Sequence, residues 1–164
     1  MAIRTIVKEG DPVLNKICRP VTDFNPRLWQ LLDDMTETLG KADGAGLAAP
    51  QVGVLRCTAV VLAEDGSFVE IVNPEITSVE GTQDGPEGCL SIPGVFGMVA
   101  RPMKVTVKAQ DRNGNWFTRE AEGFTARAFC HEIDHLSGHL FTELVSRYLS
   151  EDELLGSASE EKPE

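Results

Sequence analysis

Apolar residues early in the chain recur at helical spacing. Leu28, Leu31, Leu32, Met35 and Leu39 follow Asn25-Pro26, a capping residue and a proline whose missing N–H costs nothing in a first helical turn. The pattern predicts one core-facing helix from Asn25-Pro26 to Gly40, with Trp29 at its edge. From Thr58 the period shortens to that of strands. The stretches 58–62, 68–72 and 76–79 run apolar or alternate, and Asp65-Gly66 and Asn73-Pro74 break them as turn residues do. The stretches 103–110 and 116–121 alternate around Asn113-Gly114, which predicts a hairpin. A final helix is expected from Thr125, read as its cap, to about Leu136, with Gly138 as its left-handed stop. Pro93 to Met98 is apolar without a period, so Phe96 and Met98 read equally as a flexible lip or as core.

Composition narrows the class. At 164 residues and 41% hydrophobic, the chain can bury a core without disulfides, as a single domain over 1–150. The end, 151–164, carries Glu151, Asp152, Glu153, Glu160, Glu161 and Glu164 against Lys162, and is expected to be a solvated tail, partly disordered after Leu155. Cys18, Cys57, Cys89 and Cys130 form no CxxC pair and no secreted framework, which points to the reduced cytoplasm. The start, Met1-Ala2-Ile3-Arg4-Thr5, shows neither a signal peptide nor a membrane span. A net charge of −11 argues against direct nucleic-acid binding, which depends on neutralising phosphates.

The candidate chemistry centres on His131-Glu132-Ile133-Asp134-His135. Two imidazoles four residues apart on a helix share one face and can grip one metal ion, with Glu132 within reach of a water on it. Two of the chain's three histidines lie in this motif. A hydrolytic site needs a third protein ligand and an open position. His139 lies beyond Gly138 and is expected to point away. Cys89, in Glu87-Gly88-Cys89-Leu90-Ser91, would as a thiolate complete a Cys plus two His set; spacing alone reads it as a small buried hydrophobe. Gly44-Ala45-Gly46-Leu47-Ala48-Ala49-Pro50-Gln51 has no lysine and fails as a phosphate loop.

The blocks GAGLAAPQ, EGCLS and HEIDHLSG, in this order in a short chain, resemble those of the peptide deformylases. The resemblance runs from Asp11-Pro12-Val13-Leu14 to His139-Leu140-Phe141. It implies an α+β fold, mostly antiparallel β-sheets packed around a central helix that carries HEIDH. It also implies a hydrolase that removes the N-formyl group from the initiator methionine of new polypeptides and releases formate. Cys89, His131 and His135 would hold one divalent metal ion, Fe2+ in the cell, with Zn2+, Ni2+ or Co2+ able to take the same ligands. Glu132 would be general base and acid, its pKa raised toward the working range, and the Gln51 side-chain amide with the Leu90 N–H would stabilise the oxyanion. Ala45, Gly46, Gly88, Phe96 and Ala128 would bind the substrate. Gly46 and Gly88, lacking Cβ, would let an extended peptide approach like an added strand; tight-turn chemistry is the plainer reading of both.

Departures from the family pattern carry expectations of their own. Ala45 stands where a larger aliphatic is usual, which should widen the pocket for the methionine side chain or loosen its grip. Cys130, where glutamine is frequent, reads as a helix-buried thiol. Asp134 should face away from the metal and anchor its helix to Arg101 or Arg127, while Glu87 or a backbone group fixes the histidine tautomers. The expected partners are N-formylmethionyl peptides of nascent chains. The short acidic end replaces a longer basic helix that relatives use at the ribosome, so a transient ribosome contact would need another surface; the chain itself is expected to be a monomer. Three other readings remain: a zinc endopeptidase using His139 or Glu143, a thiol enzyme in which His131 activates Cys89, and an inactive binding module.

Overall fold

The computed structural model describes residues 2–153; the disorder expected after Leu155 lies outside them. Helix α1 (Pro26–Ala42) starts as its cap predicts, with Asn25 extended and its side-chain oxygen accepting from the Leu28 N–H. It passes Gly40, however, because one exposed glycine costs only about 1 kcal/mol in a helix interior. The end comes at Asp43, in the left-handed region at φ 56°, whose N–H bonds to the Leu39 carbonyl.

The described strands are β1 (Gly46–Ala48), β2 (Thr58–Leu62), β3 (Phe68–Glu80), β4 (Gln83–Cys89), β5 (Ile92–Arg101), β6 (Lys104–Gln110), β7 (Trp116–Glu122) and β8 (Val145–Tyr148). A second helix, α2 (Gly123–Leu136), precedes β8. Five strands form one antiparallel sheet in the order β1-β2-β3-β6-β7, and three form another in the order β4-β5-β8. The unbroken apolar run of β2 has a direct cause. Ala59 and Val61 face a cluster with Val105, Val107 and the α2 residue Phe129, while Val60 faces Leu28, Leu32 and Met35 of α1. A helix therefore covers each face of this sheet, and β2 is buried on both. Along β6, Val105, Val107 and Ala109 are buried and their neighbours are partly exposed, the alternation its sequence shows.

Several sequence expectations need correction. The stretches 68–72 and 76–79 belong to one long strand, β3, which carries on through Asn73-Pro74 with register shifts on either side of Ile76. Asn73 adopts φ 50°, and its side chain replaces ladder bonds by accepting from the Val21 N–H and donating to the Val21 carbonyl and Gln110. A bulge of this kind tolerates proline inside a strand. The β6–β7 turn spans Asp111–Asn115 rather than two residues, with the Asp111 carboxylate accepting from the Asn113 and Asn115 N–H groups. Thr125 is not the α2 cap. That helix starts three residues earlier, at Gly123 with Glu122 in the cap position, and the Thr125 hydroxyl donates to Glu64. Pro93 to Met98 lies within β5; Gly97 and Met98 pair with both β4 and β8, while Pro93, Gly94 and Phe96 are exposed. At the other end, Gly138 is left-handed as expected, at φ 81°, and packs on the backbone of Asn15.

The segment before the first 3-10 turn (Pro12–Asn15) ties the two halves of the molecule together. Val7 N–H donates to the Gln51 carbonyl at 2.7 Å and Glu9 N–H to the Ser91 carbonyl at 2.8 Å. Those two segments, with α2, carry the residues of interest.

Candidate metal centre

Helix α2 presents Phe124, Arg127, Ala128, His131 and Glu132 to a cavity of about 380 Å³, a set at spacings of three and four that a helix brings to one side. Its sheet-facing residues Ala126, Phe129, Cys130 and Ile133 lock it against β2 and β6. The other wall comes from the tight β4–β5 turn, where Cys89 pairs with Ile92 and Leu90-Ser91 form the bend, after a register shift at Gly88. Bulges and tight bends commonly aim side chains into sites. The third wall is the Gly-rich segment through β1 and the 3-10 turn Ala49–Val52. Ala45, Gly46, Gln51, Gly88, Cys89, Leu90, Phe96, Ala128, His131 and Glu132 all line this one cavity, and His135 stands directly behind.

Cys89 Sγ lies 3.4 Å from His135 Nε2, which lies 3.2 Å from His131 Nε2. Among the described residues these three form one group whose ligand atoms lie within 4.8 Å of one another. The edges of a tetrahedron drawn on metal–nitrogen and metal–sulfur bonds of 2.0 to 2.3 Å are about 3.3 to 3.6 Å, so the donor set fits a single cation. Its electrostatics agree. Burial opposes a charge on His131, but Glu132, Cys89 and Glu87 outweigh it and hold the imidazole up at about 10. Burial and the charge on His131 push His135 down to about 3.

Glu87 fixes the histidine. Its carboxylate takes His131 Nδ1 at 2.6 Å, a forked pair of bonds from Arg101 at 2.6 and 3.1 Å, and Arg127 at 2.9 Å. Burial works against this charge, yet His131 and Arg101 overcome it and hold Glu87 down at about 2. An ionised partner on Nδ1 leaves Nε2 to face the ligand group. Arg101 continues to Asp134 at 2.6 Å, which settles the expected anchor as Arg101 rather than Arg127. Cys130 is buried as expected, and burial raises its thiol to about 11.

Glu132 is 3% exposed, and its Oε1 is buried without a hydrogen-bond partner among the described residues. Burial, with Glu87 adding and His131 opposing, pushes its pKa up to about 7, where a carboxyl exchanges protons near neutrality. Gln51 is held at both ends. Its Oε1 accepts from the Ala48 N–H at 3.0 Å, and its Nε2 lies 3.1 Å from Ser91 Oγ and 3.5 Å from Cys89 Sγ. His139 and Glu143 are spent on each other at 3.1 Å, exposed at the surface, so neither supplies a ligand. Sequence reasoning missed Phe124, Pro86 and Asp43 as lining residues, and gave Arg127 no place in the cavity. Phe124 had a signal, an aromatic residue one i, i+7 step before His131, but the Thr125 cap placed it outside the helix.

The arrangement has the donors to bind a cation, a carboxyl at Glu132 to move a proton and an N–H beside the thiol. Residues 3–150 match the family model described as polypeptide deformylase. A peptide deformylase of Caldicellulosiruptor bescii is 55% identical over 154 residues, covering 94% of this chain and 92% of that protein. Peptide deformylase 1 of Bacillus cereus is 52% identical over 155 residues, covering 94% and 99%. The crystal structure of peptide deformylase from Thermotoga maritima superposes with a TM-score of 0.85 at 39% identity, covering 89% of this chain and 99% of that one. The chain belongs to the polypeptide deformylase family, hydrolases that remove the N-formyl group from the initiator methionine of new polypeptides.

Proposed function

We propose that Cys89, His131 and His135 hold one divalent cation in this chain, and that Glu132, Gln51 and Leu90 carry out deformylation beside it. The observation that carries the reading is the convergence of a thiol and two imidazole nitrogens, 3.2 to 3.4 Å apart, with a buried carboxyl and a fixed amide on one cavity. The cation, when bound, acts as a Lewis acid that acidifies water and polarises a carbonyl. Glu132 takes a proton from the attacking water. It returns that proton to the methionine nitrogen as the C–N bond breaks, so formate leaves and a free amine remains. As the formyl carbon becomes tetrahedral its oxygen gains charge, which Gln51 Nε2–H and the Leu90 N–H stabilise; losing one such donor typically costs about 2.7 to 4 kcal/mol. Glu87 holds His131 in one tautomer throughout.

Ala45, Gly46, Gly88, Phe96 and Ala128 form the walls against which the formylmethionyl end lies. We infer Fe2+ as the ion used in the cell, because a thiolate with two imidazoles accepts several divalent metals and availability decides among them. Residues 1–150 are the catalytic domain, with 151–164 an acidic tail, in a monomer that works in the cytoplasm on nascent chains. Among the described residues no helix is long and apolar enough to cross a membrane.

The test is purification without oxygen, metal analysis, and assay on a formyl-Met peptide. Wild type carries about one metal ion and releases formate. Cys89→Ala loses metal and activity, and Glu132→Ala keeps metal but loses activity. A metal-loaded wild type that leaves formyl groups intact while cutting internal peptide bonds overturns the reading, and activity that survives chelation favours the thiol enzyme. Actinonin is bound in the crystal structure of a peptide deformylase from Acinetobacter baumannii, and inhibition by it here would support the same site.

A further inference from the structure

Ser91 is fully buried in the two-residue β4–β5 turn, directly after Cys89 and Leu90. Its hydroxyl has one bond among the described residues, accepting from Gln51 Nε2 at 3.1 Å. The Gln51 carboxamide has little choice of orientation. The Ala48 N–H points at one end of it at 3.0 Å, so that end must be the carbonyl oxygen and the other the amino group. Of the two amino hydrogens, one is engaged by Ser91. The second is left on the side of Cys89 Sγ, 3.5 Å away, where the ligand atoms converge. Sulfur is a weak acceptor, so this hydrogen can turn to a stronger one that arrives beside the proposed metal ligands.

The backbone around Ser91 is held as firmly as its side chain. Glu9 N–H donates to the Ser91 carbonyl at 2.8 Å, and Val7 N–H, two residues earlier, donates to the Gln51 carbonyl at 2.7 Å. One short segment therefore sets the spacing between serine and glutamine. We propose that Ser91 is a positioning residue for deformylation, its hydroxyl occupying one Gln51 amide hydrogen so that the other is aimed at the developing formyl oxygen. This rests on the reading of Gln51 as an oxyanion donor. A preorganised donor is worth more than one that must rotate into place during reaction, so the benefit falls on kcat rather than on substrate binding.

A double-mutant cycle on the metal-loaded enzyme tests it. Ser91→Ala should lower kcat roughly 10-fold with KM within about 2-fold, as expected for loss of one buried hydrogen bond, at unchanged metal content. Gln51→Ala should lower kcat by about 10²- to 10³-fold, and adding Ser91→Ala to it should cost nothing further. On zinc-loaded protein, the Gln51 side-chain amide protons should exchange faster with water in Ser91→Ala, which a general packing role would not cause. Should Ser91→Ala fail to fold, Ser91→Cys enters the same cycle. Unchanged kcat in Ser91→Ala, or a loss that multiplies with that of Gln51→Ala, overturns the inference while leaving Gln51 in its role. Wild-type kcat in Gln51→Ala overturns the assignment of Gln51 and the inference with it.

Discussion

A methyl group placed on Gly46 would meet the Glu132 side chain, with Cγ and Cδ only 2.7 and 2.8 Å away. The motif glycine is thus required by this chain's own carboxylate, a cause distinct from the substrate approach that the sequence suggests. Gly88 is alike, since a Cβ there would stand 2.5 Å from the Phe96 ring. Gly46→Ala must displace Glu132, and because misplacing a reacting group by about 1 Å can cost 10²-fold, kcat should fall at least 10-fold. Metal content should stay at the wild-type level, since no ligand moves; kinetics and metal analysis on one preparation check both. Undiminished kcat would show that Glu132 has room to spare. The HEIDH pair was readable from its spacing alone, whereas Cys89 and Gln51 were picked out only by the resemblance of three short blocks to a known family. The packing of Glu132 on Gly46 was not legible, because it joins positions 46 and 132.

The small sheet and α2 meet around a buried carboxylate. Glu87 on β4 receives Arg101 from β5 and Arg127 and His131 from α2. Its folded pKa, held near 2 against an ordinary 4.5, lies below the unfolded value. Its contribution to stability is therefore fully present above pH about 4.5 and is lost as pH falls toward 2, on the order of 3 kcal/mol for a shift of this size. Acid unfolding of metal-stripped protein should show this loss, and Glu87→Gln should flatten it while lowering stability at pH 7 by roughly 3 to 5 kcal/mol, because two buried guanidinium groups lose their counter-charge. An acid slope unaltered by Glu87→Gln would refute the assignment. The helices and β2, β6 and β7 were legible in the chain to within about two residues, since burial on regular faces prints a period. β4 and much of β5 were not. Gln83–Cys89 holds two glycines, a proline and two acids, and its strand character comes from pairing with β5 and from the arginines that neutralise Glu87.

Across the whole molecule, the proposed metal ligands join elements far apart in the chain, Cys89 on the small sheet and the histidines on the helix that covers the large one. Binding energy at such a site is also folding energy. Chelation should lower the Tm of wild type by several degrees, whereas Cys89→Ala should melt at one temperature with or without chelator; calorimetry decides, and a chelator-insensitive wild-type Tm would mean that the ion lies outside the fold's cooperative unit. The segment from Val7 to Glu9 adds a matter of timing. During synthesis it is made long before its partner carbonyl on Ser91, and Cys89 is complete some forty residues before either histidine. The proposed ligand thiol thus stands on an unfinished sheet without its two imidazole partners until α2 has left the ribosome, and oxidants have their freest access to it in that interval.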